Sequence, residues 1–252
     1  MPAPISVQLY SLRAETPNGF EEVLARLADI GYAGVEPFQL HGLSPRAFRA
    51  QVEGLGMHIS SSHYPWANRS EISQVVEVLG ELGLHRAAGG FAPDDFKDAE
   101  AVKRTADSAN LIIDALAPSG LGLFLHNHWW EFGLIDGRPA YHLFAELCPR
   151  VEFEIDTYWA ANFGACDPAA EVARVRDRTP LLHIKDGPLE PKKAHVAVGS
   201  GRMDIPAVVR AADPDRLEWL IVELDACDTD MFDAVAESYR YLTTNGLAEG
   251  TR

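Results

Sequence analysis

Apolar residues in this chain arrive in short runs separated by longer amphipathic stretches. Runs at 5–10, 33–38, 57–63, 86–91, 121–127, 151–156, 180–185 and 218–224 read as strands. Helical patterns lie between them, near 17–30, 44–55, 70–82, 94–117, 139–147, 168–177, 204–212 and 229–244. One junction recurs: an amphipathic stretch ends in glycine and an apolar run follows, as in LADIGYAGVE, VEGLGMHISSSH, GELGLHRAAGG and APSGLGLFLHNH. Glycine there suits a left-handed helix cap, a conformation that Cβ makes costly for other residues. Ser44-Pro45 and Asp167-Pro168 place a capping oxygen before a first-turn proline, and Asp204, two residues before Pro206, is a third cap of this kind.

Strand and helix alternating eight times imply parallel strands joined by right-handed crossovers. Within 252 residues this pattern predicts an α/β fold, a single-domain (β/α)8 TIM barrel over residues 1–252, ahead of an open doubly wound sheet. No Gly-x-Gly-x-x-Gly follows the first strand, and no phosphate-loop pattern occurs, which weakens nucleotide-binding alternatives. No linker or low-complexity segment divides the chain.

Composition narrows the function classes. Lys and Arg total 22 against 37 Asp and Glu, a formal charge of −15, which opposes general nucleic-acid binding by counterion release. No apolar run approaches a membrane span of roughly 20 residues, and MPAPISVQLYS lacks the basic-then-apolar pattern of a secretion signal, so a cytoplasmic protein is expected. Cys148, Cys166 and Cys227 match neither a disulfide framework nor a Cys-x-x-Cys metal pattern and read as reduced thiols.

In such a barrel the chemistry sits at the C-terminal ends of the strands. Those ends carry Gln8, Glu36, His63, then His126, His128 and Glu131 in LFLHNHWWEFG, then Asp156, His183, Lys185 and Glu223. Side-chain alternation tests the placement. Turning Asp156 inward sends Val151, Phe153 and Ile155 toward the helices. Turning Glu223 inward does the same for Leu220, Val222 and Leu224; His183 and Lys185 leave Leu182 and Ile184 outside; Gln8 leaves Ile5, Val7 and Leu9. The third strand fits less well, because an inward His63 puts His58, Ser60 and Ser62 against the helices. Carboxylates and imidazoles converging on one mouth are costly to bury without a cation, and a divalent ion with mixed O and N ligands resolves this. Taken singly, each of these residues could equally be a strand-end polar group bonded to a loop backbone.

The pieces VQLYSLR, GYAGVEPF, LHNHWWEF, EIDTYWAANFG, HIKDG, VGSGRMD and VELD, in this order, resemble the xylose isomerase-like TIM-barrel superfamily of sugar isomerases and epimerases over nearly the whole chain. The closest resemblance is to its His-Asn-His-x-x-Glu-Phe branch. The resemblance implies one divalent metal ion (Mn, Co, Zn, Mg or Fe, with Mn favoured) held from strands five to eight. Three ligands carry over onto Asp156, His183 and Glu223. The fifth-strand carboxylate does not: His126-Asn127-His128 stands there and the carboxylate follows at Glu131. Glu131 is the favoured fourth ligand, because an anion better balances the ion's charge, with His126 or His128 as the alternative.

The activity this implies is isomerisation or epimerisation of a keto-sugar or sugar derivative, by proton abstraction next to a carbonyl through a metal-stabilised ene-diolate. Glu223 and His128 are the candidate acid–base groups and Lys185 the stabiliser of negative charge. Gln8, Glu36, His63 and His126 are expected to bind hydroxyls, and Trp129 and Trp159, with Trp66 and Trp130 in neighbouring loops, to stack on the sugar. A dehydratase, lyase or keto-glycoside-cleaving enzyme on the same site is the alternative, and an apurinic endonuclease the remote one. VAVGSGRMD reads as a tight turn before the helix capped by Asp204 rather than as a phosphate cradle. The partner expected is a small carbohydrate, with no nucleic acid and no membrane; barrels of this kind often pair through rim loops, so a homodimer is possible.

Overall fold

A computed structural model describes residues 1–252, the side chain of Asn18 excepted. Eight parallel strands form one curled sheet: β1 (Ile5–Gln8), β2 (Gly34–Glu36), β3 (His58–Ile59), β4 (Arg86–Gly89), β5 (Gly122–His126), β6 (Glu152–Asp156), β7 (Leu181–Ile184) and β8 (Trp219–Val222). The hydrogen-bonded order is β3-β2-β1-β8-β7-β6-β5-β4, so the first and last strands are paired and ladders run round the ring to a seam between β3 and β4. This is an α/β TIM barrel.

Alternation along the strands decides what fills it. Val7, Leu125, Phe153, Ile155, Leu182, Ile184, Leu220 and Val222 are buried in the layer shared with the helices. Ala88, Phe124, Leu181 and Ile221 form a separate small cluster inside the ring, with Trp219 against it. Gly34 is required beside that cluster, since a Cβ there would lie 2.8 Å from the Trp219 ring. Below it, Arg86 bridges Glu152 and Glu218. Above it the inward-facing strand ends carry Gln8, Glu36, His126, Glu154, Asp156 and His183, so the strand pattern itself collects the titratable groups at one end.

The third strand explains the misfit in its alternation. It stops at Ile59, well short of residue 63. The chain then crosses the mouth irregularly, tied by Ser60 N–H to Val35 O (3.0 Å) and His63 N–H to Pro37 O (2.9 Å). Ser60 Oγ meets Ser6 Oγ at 2.7 Å inside the ring, and His63 reaches the mouth without obeying strand parity. No ladder joins β3 to β4 among the described residues; Ala67 N–H donates to Ala88 O (2.8 Å) across that seam.

Helix ends follow their local chemistry. Ser44, Asp167 and Asp204 accept from the N–H groups of Ala47, Ala169 and Ala207. Gly31, Gly56, Gly83 and Gly120 all take positive φ (115°, 75°, 78° and 72°). Several short elements have no counterpart in the apolar pattern: a hairpin pairing Leu134–Ile135 with Arg138–Pro139, the helical turns Trp130–Phe132 and Asn162–Gly164, and a single helical turn, Thr157–Ala160, capped by Asp156. Among the described residues no helix is long and apolar enough to cross a membrane.

Candidate active site

Register brings the polar strand ends to one level: Gln8 is opposite Glu36, His126 opposite Glu154, and Asp156 opposite His183. His183 is the hub. Its Nδ1 lies 2.8 Å from Glu223 Oε2 and its Nε2 2.7 Å from Glu36 Oε2. Burial alone would lower this imidazole's pKa, but Glu154 and Glu36 beside it raise it well above its ordinary value. Glu36 is itself held from two sides: Gln8 Nε2 donates to its Oε2 (2.7 Å) and Ser61 Oγ to its Oε1 (2.6 Å).

Glu154 was not among the residues singled out from sequence. It is fully buried, with Oε2 2.6 Å from His63 Nε2, 3.0 Å from His126 Nδ1 and 3.4 Å from His183 Nε2. Burial pushes its carboxyl up, yet the imidazoles of His183 and His63 and the His126 hydrogen bond hold it well below the usual carboxylate range. The signal was present: with Phe153 and Ile155 facing the helices, Glu154 faces inward by the same alternation.

Lys185 supplies the cation of the opposite wall. Its Nζ lies 2.8 Å from Asp156 Oδ2, 2.9 Å from Glu223 Oε2 and 3.1 Å from Asp225 Oδ2. Asn127 locks the two neighbouring strand ends together, its Oδ1 accepting Asp156 N–H (3.0 Å) while its Nδ2 donates to Asp156 O (3.1 Å).

Two sets of donors converge closely enough to hold an ion. One is His126, Asp156, His183 and Glu223; the other is His63, His126, Glu154 and His183; in each, one ligand atom per residue lies within 4.8 Å of the others. Asp156 Oδ2 and Glu154 Oε1 are buried without a hydrogen-bond partner, the Lys185 ammonium being near Asp156 but off line. Two imidazoles and two carboxylates with an orphaned carboxylate oxygen suit a borderline divalent ion, so the first set fits the metal the resemblance implies.

Glu131 lies elsewhere. It belongs to neither set, is fully buried, accepts His128 N–H at Oε2 (2.9 Å) and places Oε1 3.9 Å from His128 Nδ1. The short helical turn Trp130–Phe132 turns it back under its own loop. His128 stacks on Trp130 (4.1 Å between ring centres) and borders the cavity.

That cavity, about 440 Å³, opens over the donors and is lined by His63, His126, His128, Lys185, Glu223, Trp129 and Trp159, among others. Gln8 and Glu36 are fully buried outside the lining, beneath the imidazoles rather than facing the space a ligand would occupy. The Gly-rich segment after β7 is organised from within: Asp186 accepts the N–H groups of Gly187 (2.8 Å) and Met203 (3.1 Å) at Oδ1 and of Gly199 (2.9 Å) and Gly201 (3.0 Å) at Oδ2.

A barrel of this topology with a polar, imidazole-rich mouth defines a known class. The model of the xylose isomerase-like TIM barrel matches residues 24–244, and the chain belongs to that family. Among solved structures, it is similar to a sugar phosphate isomerase/epimerase from Parabacteroides distasonis (23% identity, 99% of this chain and 96% of that one, TM-score 0.80). It is also similar to a probable 3-DHS dehydratase from Bacillus anthracis (12% identity, 95% and 98%, TM-score 0.76) and an L-ribulose 3-epimerase (17% identity, 97% and 94%, TM-score 0.73). At such identities the likeness is one of fold. No functionally curated protein matches the sequence.

Proposed function

We propose that the protein is a divalent-metal-dependent isomerase or epimerase of a keto-sugar or sugar derivative. The observation that carries this reading is the convergence of His126, Asp156, His183 and Glu223 at the floor of a cavity walled by aromatic rings. His126 takes the place of the fourth donor, because Glu131 is turned away under the loop. A divalent ion, Mn2+ first among those to test, would polarise a substrate carbonyl there and make the neighbouring C–H more acidic.

The chain's own groups do the rest. Glu223, held ionised by Lys185 and His183 against the effect of burial, is the carboxylate placed to take a proton. His128, on the cavity wall, is the second proton-moving group, and Glu131 fixes its backbone. Lys185 offsets negative charge developing on the substrate oxygen. His63 borders the cavity as a hydroxyl partner, His126 being committed to the ion, with Trp129 and Trp159 as stacking faces. Gln8 and Glu36 act one layer down by orienting His183.

Metal analysis after reconstitution tests the first part: about one equivalent of ion is expected, and less than about 0.1 equivalent would overturn it. Keto-sugars in deuterated water test the second, with C–H exchange expected from the native chain and lost in Glu223→Gln. A dehydratase or lyase reaction on the same site is the second reading, favoured by an imidazole (His128) on the cavity wall that could protonate a leaving group. Release of water or aglycone rather than exchange alone would select it.

A further inference from the structure

We infer that this site takes an uncharged sugar bearing a second ring, a glycoside, rather than a phosphorylated monosaccharide. The inference rests on the proposed sugar chemistry and names its substrate class.

The first argument is charge. A bound phosphate needs a guanidinium fork, an unengaged ammonium or a nest of backbone N–H groups. Among the described residues the cavity lining holds one Lys or Arg, Lys185, and three carboxylates already surround its Nζ within 3.1 Å. Two of these, Glu223 and Asp225, also line the cavity and would repel a dianion. Arg13 is spent on the carbonyls of Tyr10 and Asp225 (2.8 and 2.6 Å). The Gly-rich segment at 198–203, the natural place for an anion nest, gives the N–H groups of Gly199, Gly201 and Met203 to Asp186 and those of Val198, Ser200 and Arg202 to Ser238 Oγ, Ala197 O and Gly187 O.

The second argument is apolar surface. Tyr10, Phe38, Trp66, Trp129, Trp130 and Trp159 all line the one cavity. Tyr10, Trp66 and Trp129 remain 38%, 42% and 44% exposed. They come from the loops after β1, β3 and β5, around the rim of the mouth. Their positions are built in. The Trp66 ring sits against Gly90, where a Cβ would come within 2.8 Å of it. The Tyr10 ring is held between the edge-on Phe38 (5.3 Å) and the Arg13 guanidinium (4.0 Å). Fixed rings that stay exposed bind apolar faces with little ordering cost, and sugar C–H faces are such surfaces. A volume of about 440 Å³ falls in the roughly 300–1,000 Å³ range of pockets that enclose drug-sized ligands, beyond what one pentose or hexose ring fills. The reacting ring belongs at the polar floor and the second ring at the aromatic rim.

Calorimetric titration of the Mn2+-loaded protein tests this with a panel of uncharged disaccharides and phenyl glycosides of both anomers, their parent monosaccharides, and the 1- and 6-phosphates of those sugars. The tightest binder is expected to be an uncharged glycoside, at least about tenfold tighter than its parent. Tyr10→Ala and Trp66→Ala are each expected to remove most of that advantage, the first while leaving the parent's affinity within about threefold. Trp66→Phe should restore part of it, and an unchanged thermal midpoint would show that the variants are folded. A phosphorylated monosaccharide as tightest binder, or no glycoside better than its parent, would overturn the inference. Deuterium exchange separates the two readings: exchange in keto-monosaccharides without glycoside preference leaves the isomerase standing, whereas glycoside preference without exchange on any keto-sugar does the reverse.

Discussion

A single fully buried carboxylate, Glu154, faces three imidazoles, and its removal is the sharpest test of the site's electrostatics. In the metal-free protein Glu154→Gln keeps the shape but leaves His63 and His183 with Glu36 as their one shared anion. Breaking a buried ion pair costs about 3–5 kcal/mol, and a loss near the lower end is expected in urea unfolding. Glu36→Gln acts differently: it weakens the acceptor that orients His183, so a chelator competition should show metal affinity falling by about 10–100-fold. His195 gives a pH signature. Burial, then the Lys185 charge, lowers its pKa to about 4, and its Nδ1 accepts Asp225 N–H (3.1 Å). The folded state keeps it neutral while the unfolded chain protonates near pH ~6.5. Its contribution is therefore complete above about pH 6.5 and is lost as pH falls toward 4, by up to ~3 kcal/mol. His195→Asn should flatten the stability curve in that window alone. Asp156, His183 and Glu223 were legible from strand parity, a property of local sequence. The place of Glu131 was not, because a one-turn helix decides where its side chain points.

At the scale of elements, the alternation of strands and helices and their caps were legible because propensity and tertiary packing agree there. Gly31 shows how firmly. Its φ is 115°, and a Cβ would lie 2.4 Å from Tyr239 Oη, which donates to Arg252 O. Left-handed backbone alone costs other residues roughly 1–2 kcal/mol, so Gly31→Ala should lose at least that in a denaturant titration. The third strand was read too long because its apolar and serine run continues past the point where the ladder ends. What stops it is tertiary: the backbone from Ser60 onward bonds to β2 as a loop and carries His63 across the mouth. The hairpin at 134–139 pairs only two residues per strand, too few to leave a period in the sequence.

For the whole molecule, a charge of −15 and several buried carboxylates mean that the proposed cation would stabilise the folded chain on binding. A ligand at 100 times its Kd stabilises by about 2.7 kcal/mol. For a chain of this size that corresponds to a rise in thermal midpoint of roughly 5–10 °C on adding Mn2+, reversed by chelator and absent in Asp156→Ala. The barrel wall is also uneven. Ladders stitch every neighbouring pair except β3 and β4, so the amides of His58–Ile59 and Arg86–Gly89 should lose hydrogen-exchange protection before those of β6 and β7.

Asp186 has a further consequence. Its carboxylate, gathering four backbone N–H groups from the loop after β7, is a tethered counter-anion filling what would otherwise be a receptor for a free one. A chain carrying Asp186→Gly would expose that vacancy, and chemical rescue by millimolar formate or acetate would then measure how much of the loop's order one covalent tether supplies.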